Sequence, residues 1–173
     1  MTDMTTSPLQ DPFDHHVWAT LRILDACDPL SPEQLETTVP GTYGSILDTL
    51  RHTVGADASY LWVLTDGRRP QIDEDSTDLP ALRVAMVDNG PIWNDLLAQK
   101  TDMGQMVVRH RDDGSSTHAP LGVRLAQAIH HGTDHRSQIC TALTALGIEP
   151  PEIDVWAYAF EDGRVFETQP PPG

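Results

Sequence analysis

The sequence predicts an all-α fold, a four-helix bundle, and three observations carry that expectation. Four segments repeat apolar residues at the three- and four-residue spacing of an amphipathic helix. Strand-like character is confined to one short stretch, "MVVRHRDDGSSTHAP" (106–120), around an Asp-Gly turn signal. The chain has 173 residues, the length of one domain, without internal repeats or low-complexity blocks. A chain of that size buries a core without needing disulfides or a structural metal.

The elements follow in order. Residues 1–11 read as a disordered leader. "PFDHHVWATLRILDAC" (12–27) places Phe13, Val17, Leu21 and Leu24 at helical spacing. "DPLSPEQL" (28–35) interrupts it, with Pro29 and Pro32 as breakers and Ser31 as the cap of a short turn. A second helix is expected over Ser45–Thr65, ended by Gly67 and followed by the polar loop "RRPQIDEDSTD". The third, "LPALRVAMVDNGPIWNDLLAQK" (79–100), should kink at Gly90-Pro91. A small hairpin over 106–120 joins it to a fourth helix over Leu121–Leu146, stopped by Gly147 with Pro150 and Pro151 beyond. The closing "EIDVWAYAFEDGRV" carries enough aromatic residues to pack back on the body. Two long connections argue against a simple up-down meander.

Composition excludes several classes of function. Eleven Lys and Arg stand against 26 Asp and Glu, for a formal net charge of −15. A field of that sign repels phosphate backbones, so no nucleic-acid partner is expected. No apolar run approaches the roughly 20 residues of a membrane span. The first residues lack both the basic start and the apolar run of a signal peptide. Cys27 and Cys140 form no C-x-x-C pair and are expected to be reduced thiols, neither ligands nor nucleophiles. A cytoplasmic location follows from these readings.

The chemistry concentrates in "AIHHGTDHRSQI" (128–139), with three histidines in six positions. At about 100° per residue, Leu121, Leu125, Ala128, Gly132, Ile139, Leu143 and Leu146 form one stripe. With Ile139 at zero, His135 falls near −40° and His131 near −80°, at the margin of that stripe, whereas His130 falls near 180°. The pair four residues apart suits a divalent metal with nitrogen ligands, or else is a polar patch that aids solubility. A useful catalytic metal takes three protein ligands and keeps one position open. Candidates for the third are His15, His16, His52, His110 and His118, and periodicity leaves His52 undecided, on a side with Ser45, Thr49, Ala56 and Ser59.

At this point the chain resembles the DinB-like (DinB/YfiT) family of metalloenzymes, over about residues 12–160. "HGTDHRSQI" (131–139) is similar to that family's H-G-x-x-H-R-x-Q-I signature on the last helix. "SILDTLRHTVGADASYLWVL" (45–64) resembles its second helix, where one His is followed five residues later by an acid, here Asp57. "VWATLRIL" (17–24) is similar to its first helix, with Trp18, and "GIEPPEIDVWAY" (147–158) to its closing segment. The resemblance implies an up-down-down-up bundle, followed by a C-terminal tail over 161–173. It also implies a zinc or nickel site made by His52, His131 and His135, with water or substrate completing it, and a homodimer. His15, His16, His110, His118 and His130 then become plain polar positions.

Such a site points to a metal-dependent enzyme acting on a small molecule, by hydrolysis or by S-transfer from a low-molecular-weight thiol. Relatives in the family use thiols such as bacillithiol or mycothiol. The alternative is a non-catalytic stress protein that binds a metal or a metabolite. No H-E-x-x-H occurs, which argues against a metalloprotease. No general base can be assigned. Asp134 turns about 100° from His135. Gln138, near the angle of His131, either orients a ligand or is an ordinary exposed glutamine. Asp57 faces the core, where it needs a partner, and Arg136 close to the stripe could supply one.

Overall fold

The computed structural model describes residues 7–99 and 102–168. Among them run α1 (Gln10–Cys27), the short α2 (Pro32–Leu35), α3 (Ile46–Leu64), α4 (Leu79–Ala98), β1 (Met106–His110), β2 (Ser116–Pro120), α5 (Leu121–Ala145) and α6 (Val155–Glu161). The fold is therefore broadly all-α, with one small two-stranded antiparallel sheet.

Local chemistry explains the element ends. α1 begins at Gln10, ahead of Pro12, within the stretch expected to be a leader. A proline in the first turn costs no helical hydrogen bond, because the N–H it lacks has no partner there. The expectation for residues 1–6 lies outside the described residues. Ser31 caps α2 through a capping box with Gln34, and Ser45 caps α3 through one with Asp48. Gly67 (φ 78°) and Gly147 (φ 75°) take the left-handed conformation just beyond α3 and α5, which stops both helices where the sequence predicts. α4 runs on through Gly90 and Pro91 to Ala98, and Lys100 lies outside the described residues. The closing segment forms a helix, α6, whose Tyr158 ring lies 5.5 Å from that of Trp18.

α1 and α3 each pack against both α4 and α5. Arg83 Nε donates to Asp25 Oδ1 near one end of the α1–α4 pair, and Gln10 Nε2 to Asn94 Oδ1 near the other, so these helices run antiparallel. Two apolar clusters result. One gathers Ile23, Ile46, Leu50, Val54, Met86 and Leu143. The other gathers Phe13, Leu61, Trp93 and Leu125 around a Phe13–Trp93 ring contact. Burying each such side chain contributes about 1.5–3 kcal/mol.

A polar layer separates the clusters, and it corrects two expectations. His16 is buried rather than a plain surface position. Asp57 and Arg136 do not pair directly; His16 stands between them. Arg136 Nη1 donates to His16 Nδ1 at 3.1 Å and to Thr20 Oγ1 at 3.0 Å. That leaves the His16 proton on Nε2, which donates to Asp57 Oδ1 at 3.0 Å. Asn89 Nδ2 donates to Asp57 Oδ2 at 2.6 Å, and Trp93 Nε1 lies 3.2 Å from both carboxylate oxygens. One carboxylate thus ties α1, α3 and α4 together, and Arg136 adds α5. Burial pulls the Arg136 guanidinium down to about 10, so it keeps its charge at neutral pH and offsets that of Asp57.

Candidate metal centre

The α3–α5 contact brings three imidazoles to one point. One ring nitrogen each from His52, His131 and His135 lie within 4.8 Å of one another, and His131 Nε2 stands 3.1 Å from His52 Nε2. Two nitrogens bound at about 2.0–2.1 Å to one tetrahedral ion stand roughly 3.3 Å apart. The donor set therefore fits a divalent ion with nitrogen ligands, zinc and nickel included.

The outer partners fix which nitrogens are offered. His52 Nδ1 lies 3.1 Å from Glu74 Oε2, and His135 Nδ1 lies 3.2 Å from Gln138 Oε1. Both acceptors take a proton from Nδ1, which leaves Nε2 with its lone pair. Gln138 Oε1 also accepts from the Tyr43 backbone N–H at 2.8 Å, tying the turn before α3 to α5. The Tyr43 ring stacks on His52, with centroids 4.1 Å apart and planes 7° from parallel, and meets His135 edge-on. Gln138 thus serves His135, not His131. Tyr43 and Glu74 are the neighbours that the sequence reading missed. Tyr43 carried no periodic signal, and Glu74 sits in an acidic loop. The one available hint was Gly55, a glycine inside a helix.

The "HGTDHR" segment works on two sides of α5. His131 and His135 face α3, whereas Gly132 and Arg136 face α1. A Cβ at position 132 would collide with His16 Cε1, so glycine there lets His16 reach Arg136. His130 is exposed, as its helical phase requires. His110 and His118 are exposed on the hairpin, and His15 Nε2 contacts the Ile153 carbonyl at 2.7 Å. None of these joins the trio. Cys27 is buried, its thiol pushed up to about 12 by burial, and burial also raises Cys140. Cavities among the described residues lie elsewhere. One of 690 Å³, beside His15, Ile129 and Cys140, and one of 420 Å³, beneath the hairpin at Leu64, Leu97 and Met103, contain none of the three histidines.

Burial, reinforced by the neighbouring His135 and His52, pushes His131 down to about 4. Burial also lowers His135, opposed by its hydrogen bond to Gln138. Both rings are thus neutral at pH 7, the state a metal requires. In the metal-free protein the unfolded chain protonates these residues first, near 6.5. The contribution of His131 is therefore complete above that value and is lost as pH falls towards 4, and that of His135 changes in the same direction. The urea midpoint of chelator-treated protein is expected to drop across this window, and less so in His131→Ala. An unchanged pH profile in that variant would contradict the assignment.

No helix of the described residues is long and apolar enough to cross a membrane. The sequence model described as the DinB family matches residues 1–169. Comparison with curated proteins gave no match.

Proposed function

Because the chain belongs to the DinB family, we propose that it is a metal-dependent enzyme on a small molecule, with zinc or nickel held by His52, His131 and His135. The observation that carries this reading is the convergence of three imidazoles, two of them held at Nδ1 by Glu74 and Gln138. Three neutral ligands leave the charge of a divalent ion undiminished, and such an ion, when bound, supplies Lewis acidity that activates a water or a thiol. Tyr43 covers one face of His52 and limits water on that side, while His52 keeps a quarter of its side chain exposed for an incoming molecule.

The reaction we propose is hydrolysis or S-transfer from a low-molecular-weight thiol. Neither of the protein's own thiols is at the trio, since Cys27 is buried and Cys140 lines the separate α1–α5 cavity. A thiol reaching the trio would come from outside. The test is turnover of esters, amides and thiol-plus-electrophile pairs by metal-loaded protein, with and without chelator. Chelator-sensitive turnover of one class is expected. Full metal occupancy without turnover of any would favour the non-catalytic stress-binding alternative.

The four long helices are proposed to form one up-down-down-up bundle. The antiparallel α1–α4 pair supports this, as do Phe13 and Leu125 sharing one apolar cluster and Arg136 donating to Thr20, in keeping with α1 parallel to α5. A cytoplasmic homodimer completes the proposal. Exposed Val84 and Val87 on α4, and Trp156 and Phe160 on α6, are apolar surface available to an interface. Light scattering at micromolar concentration should give twice the chain mass; a strict monomer would remove the claim.

A further inference from the structure

The polar loop between α3 and α4 sends one side chain back to the trio. Glu74 lies in that loop, yet its Oε2 reaches His52 Nδ1 at 3.1 Å, 22 residues back along the chain. To do so, the Glu74 side chain crosses the surface of α3 at Gly55. A Cβ at position 55 would stand 2.5 Å from both Cγ and Oε1 of Glu74, closer than real contacts allow. Glycine inside a helix is less favourable than alanine. Here, one turn after His52, it leaves the space that the Glu74 side chain occupies.

We infer that Glu74 is the positioning residue of the site, holding His52 as the Nδ1–H tautomer with Nε2 aimed at the ion, and that Gly55 is the opening that seats it. This rests on the trio being a metal site. The remaining freedom of His52 is rotation about its side-chain bonds. Tyr43 blocks one ring face by stacking, and Glu74 fixes the ring edge opposite Nε2. With both in place the imidazole has one orientation left, and Nε2 meets His131 Nε2. A carboxylate behind a ligand histidine also raises the basicity of the nitrogen facing the metal. His135 has a neutral counterpart, the Gln138 amide, so the two partners differ in charge. Glu74→Gln therefore preserves orientation while removing the charge.

Zinc(II) affinity, measured by competition with a chromophoric chelator, and the His52 tautomer, read by ¹⁵N ring correlation in metal-free protein, test this together. Glu74→Ala should weaken zinc binding about 10–100-fold and release His52 from the Nδ1–H tautomer. Gly55→Ala should do the same with Glu74 still present, because the carboxylate is displaced. Glu74→Gln should retain the tautomer and most of the affinity. Unchanged affinity and tautomer in Glu74→Ala and Gly55→Ala would overturn the inference. Failure of the wild-type protein to bind zinc would instead strike the metal reading, while the tautomer comparison would still decide the role of Glu74.

Discussion

Asp57→Ala is expected to destabilise the protein by on the order of 3–5 kcal/mol, the cost of breaking one side of a buried charge arrangement. Four observations set that size. The carboxylate is 2 % exposed, and it accepts from His16, Asn89 and Trp93, each itself buried. Removing it strands all three donors where water does not reach, and unsatisfied buried donors cost about 1–3 kcal/mol apiece before relaxation. It also leaves the Arg136 guanidinium buried without its compensating charge. Small domains are stable by only about 5–15 kcal/mol, so a large part of the total is at stake. Asp134→Ala, at an exposed position on the neighbouring helix, should shift stability by less than about 0.5 kcal/mol. Urea denaturation followed by circular dichroism measures both. An Asp57→Ala midpoint equal to wild type would mean that the polar layer carries none of the fold's stability.

The second large effect sets two adjacent histidines against each other. His131 faces α3 and the other two imidazoles, whereas His130 faces solvent. Loss of a partner behind a ligand costs about 10–100-fold in metal affinity, so loss of a ligand should cost more than about 100-fold. His131→Ala, His135→Ala and His52→Ala should therefore emerge largely without metal. His130→Ala should keep full occupancy and change stability by no more than about 0.5 kcal/mol. All four should retain the helical circular-dichroism signal, because the two apolar clusters do not depend on the ion. A metal-free His130→Ala beside a loaded His131→Ala would reverse the helical phase on which the site is built.

The stripe on the last helix shows how far periodicity alone reaches. Leu125, Ala128, Gly132, Ile139 and Leu143 are buried as their spacing requires, and His135 and His131 sit at the margin of that stripe. On α3, Leu50, Val54 and Leu61 are buried as well. Helix stops at Gly67 and Gly147 were legible because a left-handed residue there is a local demand. His52 was different. Its place beside His131 depends on how α3 docks on α5, which no local pattern encodes, so only the family resemblance singled it out. His16 escaped for the same reason: a histidine one turn from Phe13 reads as polar surface until Asp57 and Arg136 are known to converge on it. Glu74 lay further still from local rules. A carboxylate in "QIDEDSTD" is indistinguishable from its acidic neighbours until the loop folds over Gly55.

The ligand shell of the ion can be read directly. Protein purified without an affinity tag should be analysed for metal content and then by X-ray absorption at the edge of the metal found. A single zinc or nickel ion per chain is expected, with a shell dominated by imidazole nitrogens at about 2.0–2.1 Å and no sulfur ligand. Protein that holds no divalent ion and takes none up on titration, or an ion whose shell contains sulfur, would contradict it.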